Sequence, residues 1–306
     1  MTSHRKLRIG TRESELALFQ ARVVQQHFTA MGIETDLIEI TSEGDIDLET
    51  PLYEMGIQGI FTKTLDIALL QNRIDLAVHS AKDVPTRLAR GLMIAAIPER
   101  GPSADALVLP RHTDAIDLTE DCTIATSSLR RKTQWLHRYA HHRTEPLRGN
   151  IQTRLNKLDD TGWQGAVFAL AALQRLNIST HKIKPLDWML PAPAQGAIAV
   201  VCRGSDSTVR ETCGAIDHWP SSLSIGVERD FLAALQGGCA VPIGAYAEIR
   251  SGKLHFRGNV MSMDALQELE VEMDFDVDQA RDAGRLAAGE MVAKGAESII
   301  KTFRAA

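Results

Sequence analysis

The sequence has few of the signals that mark several common protein classes. Its four cysteines, Cys122, Cys202, Cys213 and Cys239, include no C-x-x-C pair. That spacing offers neither a zinc site nor a disulfide framework, and a reducing, cytoplasmic setting is expected. No uninterrupted apolar run reaches the ~20 residues needed to span a bilayer, so no membrane partner is expected. The basic start, Met1 to Gly10, leads into no apolar stretch, which predicts no secretory signal. No block of Lys and Arg exceeds three residues and the net charge is -5, so nucleic acid is not an expected partner. A glycine-rich phosphate loop and a G-x-S-x-G motif are both missing. The ten histidines, with His141-His142 among them, form no recognisable ligand set, and no metal is expected.

What is present reads as an α/β protein. A length of 306 residues suggests two or three domains, and 44% hydrophobic content is enough to build their cores. Leu7 to Thr11 predicts a strand, followed by a helix capped at Ser14 with Leu16, Phe19 and Val23 on one face. A second strand is expected at 37–41, and then a long loop from Ser42 to Gly59. The pattern returns to helix over 61–72 and to a strand over 75–79, which stops before Pro85. Residues 99–103 read as a linker into a second α/β unit. That unit has strands at 122–126 and 166–170 and helices at 129–139, with Ser128 as cap, and 151–160. The turn Ile9-Gly10-Thr11-Arg12-Glu13-Ser14 is echoed by Ile124-Ala125-Thr126-Ser127-Ser128, which suggests two similar lobes. Residues 191–196 read as a second linker, and 197–202 as a strand returning to the first lobe. A helix over 221–235, short strands and a final helix from Asp278 complete an α+β part. The expected domains are 1–99 with 197–216, then 103–192, then 220–306.

Six arginines, Arg12, Arg130, Arg131, Arg148, Arg154 and Arg175, fall in or beside predicted strand–helix turns. A helix N-terminus offers free N–H groups, and a guanidinium grips a carboxylate at two points, so such a set suits a substrate with several carboxylates. The alternative for each is a solvated surface position. Asp83, after Lys82 at a strand end, is placed either to stabilise a cation or to close an Asx-turn. Cys239 lies between Gly237-Gly238 and Ala240-Val241-Pro242, a shaped turn rather than a plain strand, although a lone cysteine is commonly a small buried apolar residue.

Several motifs, in order from about residue 8 to 247, resemble those of the porphobilinogen deaminases. They are Ile9-Gly10-Thr11-Arg12-Glu13-Ser14-Glu15-Leu16-Ala17-Leu18, His79-Ser80-Ala81-Lys82-Asp83-Val84-Pro85 and Thr126-Ser127-Ser128-Leu129-Arg130-Arg131. The others are Leu147-Arg148-Gly149-Asn150-Ile151-Gln152-Thr153-Arg154-Leu155, Leu173-Gln174-Arg175-Leu176 and Gly237-Gly238-Cys239-Ala240-Val241-Pro242-Ile243-Gly244. The resemblance implies two periplasmic-binding-protein-like lobes and a small α+β third domain. It implies a dipyrromethane cofactor joined by a thioether to Cys239, and porphobilinogen as substrate of a monomeric enzyme that makes hydroxymethylbilane. Asp83 then matches the catalytic aspartate. Arg12, Ser14, Lys82, Arg130, Arg131, Arg148, Arg154 and Arg175 match positions that bind acetate and propionate groups. Ser127 and Ser128 match positions that help to hold those groups, and Phe61 matches an aromatic beside the pyrrole rings.

Two departures stand out. The family commonly has Gly-Gly-Lys-Gly-Leu-Phe where this chain has Gly56-Ile57-Gln58-Gly59-Ile60-Phe61, so a lysine is replaced by Gln58. The family's Val-Gly-Gln-Gly is Pro193-Ala194-Gln195-Gly196 here, and Pro193 fixes one φ angle. Two rival readings are a non-catalytic binding protein with an arginine-lined cleft and a paralogue that keeps the cofactor but turns over poorly.

Overall fold

The computed structural model describes residues 6–41, 62–235 and 241–305. Two compact units take their described residues from different parts of the chain. One draws on 6–41, 62–101 and 196–222, and the other on 102–195, 223–235 and 241–305.

The first unit is built on a five-stranded sheet. Its strands are β1 (Leu7–Thr11), β2 (Thr35–Glu39), β3 (Leu76–Ser80), β4 (Leu92–Ala96) and β10 (Ile198–Arg203), in the order β2-β1-β3-β10-β4. β1 runs parallel to β2 and β3, and β10 returns antiparallel between β3 and β4. β3 is apolar along most of its length because helices cover both faces. Leu76 and Val78 pack with Ala21, Val24 and Phe28 of helix Glu15–Ala30, and Ala77 packs with Leu65, Ala68 and Leu69 of helix Lys63–Leu70.

The second unit holds a sheet with the same plan. β5 (Asp105–Val108), β6 (Thr123–Ala125), β7 (Arg143–Glu145), β8 (Gly165–Ala169) and β9 (Ile183–Pro185) lie in the order β7-β6-β8-β5-β9. Three strands are parallel, and the fourth, β5, runs against β8. The short sequence echo therefore marks a structural one: β1 and β6 hold the same place in their sheets, and so do β10 and β5. Each of these crossing strands follows a linker.

A three-stranded antiparallel sheet, β11 (Ile243–Arg250), β12 (Lys253–Met261) and β13 (Glu268–Asp276), packs one face on helices Trp219–Ala234, Ala283–Ala293 and Ala296–Ala305. Its other face alternates charge across the strands, with His255 opposite Asp274 and Arg257 opposite Glu272. Such pairing suits a solvated face. The Phe231 and Phe256 rings meet at 5.0 Å in the core beneath. The helices cross so closely at Gly284 that a Cβ there would lie 2.1 Å from the Val227 carbonyl oxygen and 2.8 Å from the Phe231 nitrogen. Backbone atoms cannot swing aside, so Gly284→Ala is expected to cost roughly 1–3 kcal/mol, read as a lower denaturant midpoint.

The expected elements shift at their ends. The second strand begins at Thr35, and the final helix starts as a 3-10 stretch, Val277–Asp282, then divides into two helices. β4, β5, β7, β9 and the helix Ser207–Gly214 were not anticipated. The loop expected over 42–59, with Gln58, lies outside the described residues, and so does Gly237 just past the helix expected over 221–235.

Candidate functional site

In the first unit, β1 and β3 are parallel neighbours, so the chain leaves both at the same edge of the sheet. Arg12 follows β1 directly, and Lys82 and Asp83 lie half-buried in the 3-10 turn Ala81–Asp83 that follows β3. Ser14 caps the helix, its Oγ accepting the Ala17 N–H at 3.4 Å. That helix is pinned to the end of β3, where Gln20 Nε2 donates to Ser80 Oγ at 2.8 Å. The turn is closed by main-chain bonds: Ala81 N–H to the Ala197 carbonyl at 3.0 Å, and Val84 N–H to the Ala81 carbonyl at 3.3 Å. The sheet thus brings Arg12, Ser14, Lys82 and Asp83 to one edge, on backbone that does not rely on the Asp83 side chain.

His79, which the sequence did not single out, is buried on β3 with Arg12 as its charged neighbour. Burial, and secondarily the Arg12 charge, pull its pKa down to about 4. An unfolded histidine takes up its proton near pH 6.5, so between about 6.5 and 4 the unfolded state binds more protons. Stability is therefore fully present above pH 6.5 and is lost as pH falls, with His79 contributing on the order of 3 kcal/mol by pH 4. Urea midpoints from pH 7.5 down to 4.5 should show a fall that is shallower in His79→Asn. Equal slopes in the two proteins would show that His79 is not the group responsible.

In the second unit, the carboxyl ends of β6 and β8 carry the matching turns. Ser127 Oγ accepts the Leu147 N–H at 2.8 Å, which ties the two motif loops together. Ser128 caps helix Leu129–Arg138, accepting the Arg131 N–H at 3.5 Å. Asn150 caps helix Ile151–Asp160, accepting the Thr153 N–H at 2.9 Å. Gly149 just before it has a φ of +113°, and a Cβ there would meet Thr153 at 2.7 Å. Arg154 Nε donates to the Gly149 carbonyl at 2.7 Å, and Arg148 is 8% exposed. Arg175 ends helix Leu170–Arg175, and burial lowers its pKa.

Arg130 and Arg131 are buried, not solvated, and both turn to Asp105. Arg130 meets Asp105 Oδ2 at 2.7 Å and donates to the Leu190 carbonyl at 2.7 Å. Arg131 gives Asp105 Oδ1 two contacts, from Nε at 2.9 Å and Nη2 at 2.7 Å, and donates to the Val167 carbonyl at 2.9 Å. Gln195 Nε2 adds a bond to Asp105 Oδ1 at 2.9 Å. Asp105 and Gln195 were missed from sequence. The only local hint was an acidic residue opening the wholly buried strand Asp-Ala-Leu-Val.

The linker departure is also placed. Ala194 has a φ of +65°, the left-handed region that favours glycine, so the family's glycine at this point has a conformational reason. Its N–H is held by the fully buried Glu228 carboxylate at 2.6 Å, whose other oxygen accepts the Ala247 N–H at 2.7 Å.

Cys122, Cys202 and Cys213 are all buried, and burial raises each thiol pKa, that of Cys213 to about 12. Cys239 and Phe61 lie outside the described residues. Among the described residues, no group of three or more His, Cys, Asp or Glu could hold a metal, and no helix is long and apolar enough to cross a membrane.

Residues 7–211 match the family model described as porphobilinogen deaminase, dipyromethane cofactor binding domain, and residues 223–293 match that for the porphobilinogen deaminase C-terminal domain. The chain is 39% identical over 303 residues to a porphobilinogen deaminase of Synechococcus elongatus, covering 97% of this chain and 95% of that one. It is 36% identical over 300 residues to a porphobilinogen deaminase of Carboxydothermus hydrogenoformans, covering 97% and 96%. Among solved structures it is similar to the BvgS periplasmic VFT2 domain of Bordetella pertussis, with 15% identity, a TM-score of 0.43, and coverage of 70% of this chain and 87% of that one. With both family domains matched in order over nearly the whole length, the chain belongs to the porphobilinogen deaminase family.

Proposed function

We propose that the chain acts as a hydroxymethylbilane synthase, a transferase that condenses four porphobilinogen molecules with loss of ammonia and releases the linear tetrapyrrole by hydrolysis. The observation that carries this reading is the match of both family domains, in order, to nearly the whole chain. The division into domains at 1–99 with 197–216, 103–192 and 220–306 is part of the proposal, and the three separate sheets support it. So are a monomeric state and a cytoplasmic location.

The residues of the second unit fit an anionic cofactor. Two buried guanidiniums share one carboxylate, which leaves about one positive charge in a place that water screens poorly. Arg130 Nε–H is buried and has no hydrogen-bond partner among the described residues. A dipyrromethane group bears acetate and propionate arms, which suit such a site; when bound, it supplies the free pyrrole carbon on which the chain is built.

Each residue then has a task. Loss of ammonia turns porphobilinogen into an electron-poor azafulvenium cation. Asp83 stabilises that positive charge beside the pyrrole N–H groups and helps to move the proton. Arg12, Lys82, Arg148, Arg154 and Arg175 receive carboxylate arms, with Arg130 and Arg131 as a pair oriented from behind. Ser14, Ser127 and Ser128 fix the turns that aim them. Phe61 lies against the pyrrole rings, and Cys239 provides the thioether sulfur.

The test is intact mass of the full chain before and after adding porphobilinogen. A covalent adduct on the purified protein, followed by stepwise increments of one substrate unit less ammonia, is expected. Protein from a porphobilinogen-producing host with no adduct and no increments would instead favour a non-catalytic binding protein.

A further inference from the structure

We propose that Asp105 is a positioning residue of the reaction, the anchor that aims Arg130 and Arg131 at the carboxylates of the bound chain. This rests on the functional reading above and adds to it a residue that touches no substrate.

Among the described residues, two aspartates each gather two arginines. Asp75 takes Arg8 at 2.8 Å and Arg203 at 3.5 Å, and Asp105 takes Arg130 and Arg131 at 2.7 Å each. The chemistry is the same, but the placement is opposite. Asp75 precedes β3, and its N–H bonds the Arg8 carbonyl at 2.9 Å, so it lies at the edge where β3 begins. Asp83 follows the other end of that five-residue strand, about 17 Å along at 3.3 Å per residue. The Asp75 cluster therefore holds the sheet together, far from the reacting groups.

Asp105 opens β5, which runs antiparallel to β8, and it pairs with Ala169, the last residue of β8. That puts it at the carboxyl edge of the parallel strands, where the turn at 126–128 leads into helix Leu129–Arg138. Arg130 and Arg131 are successive residues of that helix, so their side chains leave it about 100° apart. Left alone they would point different ways and repel. Asp105 draws them together, one oxygen to each, and Gln195 Nε2 steadies the carboxylate by bonding both Asp105 and the Ser103 carbonyl, the latter at 2.7 Å. One negative charge serves two positive ones, so the pair is held rigid yet keeps a charge for an incoming carboxylate. A neutral side chain at this position would release both forks.

The test compares Asp105→Asn, Asp105→Glu and the matched control Asp75→Asn in the full-length protein. Each is kept cold and shown to be folded by circular dichroism. Intact mass reads the fraction carrying the covalent adduct and the increments formed with porphobilinogen. Asp105→Asn is expected to lower the adduct-bearing fraction about ten-fold, while Asp75→Asn lowers the melting temperature and leaves that fraction unchanged. Asp105→Glu keeps the charge but shifts it by one methylene, so it should fold and show an intermediate loss. If Asp105→Asn does not fold, the Glu variant decides alone. A wild-type mass pattern in either folded Asp105 variant overturns the assignment, and so does an equal depletion in Asp75→Asn. Wild-type protein with neither adduct nor increments would overturn the functional reading itself.

Discussion

Asp83→Asn is expected to lower turnover by roughly two to four orders of magnitude and to leave the melting curve close to that of the wild type. Its half-buried place, in a turn closed by Val84 N–H to the Ala81 carbonyl, means the backbone there does not depend on the carboxylate. Asparagine keeps the size and can still accept a hydrogen bond, but it carries no charge. A cation forming nearby loses its counter-charge, and that loss falls on the transition state rather than on the ground state. The loss should therefore appear in kcat more than in KM. Protein that still carries its adduct but adds porphobilinogen slowly would be the characteristic outcome. Near-normal turnover in Asp83→Asn would remove Asp83 from the chemistry.

The sequence disclosed the local parts of this arrangement far better than the remote ones. Ser14 and Ser128 were legible as helix caps because a cap is set by residues within one turn, and both side chains accept the expected main-chain N–H. Strand, turn and helix were readable together wherever a motif spanned all three, as at Ile9 to Leu18. Asp105 was not legible, because its role comes from pairing with Ala169, 64 positions along, and from two arginines that reach back to it. For the same reason the arginines of the second unit read as equals from sequence. The structure separates them: Arg130 and Arg131 are joined through one carboxylate, whereas Arg154 is fixed by the carbonyl of Gly149. His79 was hidden by its own motif. A histidine on a strand gives no sign of its burial until the helices on both faces are in place. Ala194 shows the reverse case, where the departure from the family pattern was plain and its meaning needed the φ angle.

Cys239→Ala is expected to abolish both the covalent adduct and turnover while leaving a folded protein. The four thiols differ in what their surroundings allow. A thiol attacks as the thiolate, and burial in apolar surroundings suppresses that form. Cys122, Cys202 and Cys213 all lie in the cores, each with its pKa pushed up by burial, so none is placed to capture an electrophile from solution. Cys239 stands apart in sequence, between Gly237-Gly238 and Pro242, a setting unlike the apolar or helical stretches that hold the other three. Once formed, a thioether resists hydrolysis, which is what a primer that survives many turnovers needs. Intact mass should therefore show the bare polypeptide for Cys239→Ala, with no increments after porphobilinogen and no colour with Ehrlich's reagent. Cys122→Ala, Cys202→Ala and Cys213→Ala should keep the adduct, at the cost of small cavities that lower the melting temperature. Replacing Cys239 removes an attachment point, and its circular dichroism spectrum should match that of the wild type. A Cys239→Ala protein that still carries the full adduct would place the attachment at another residue.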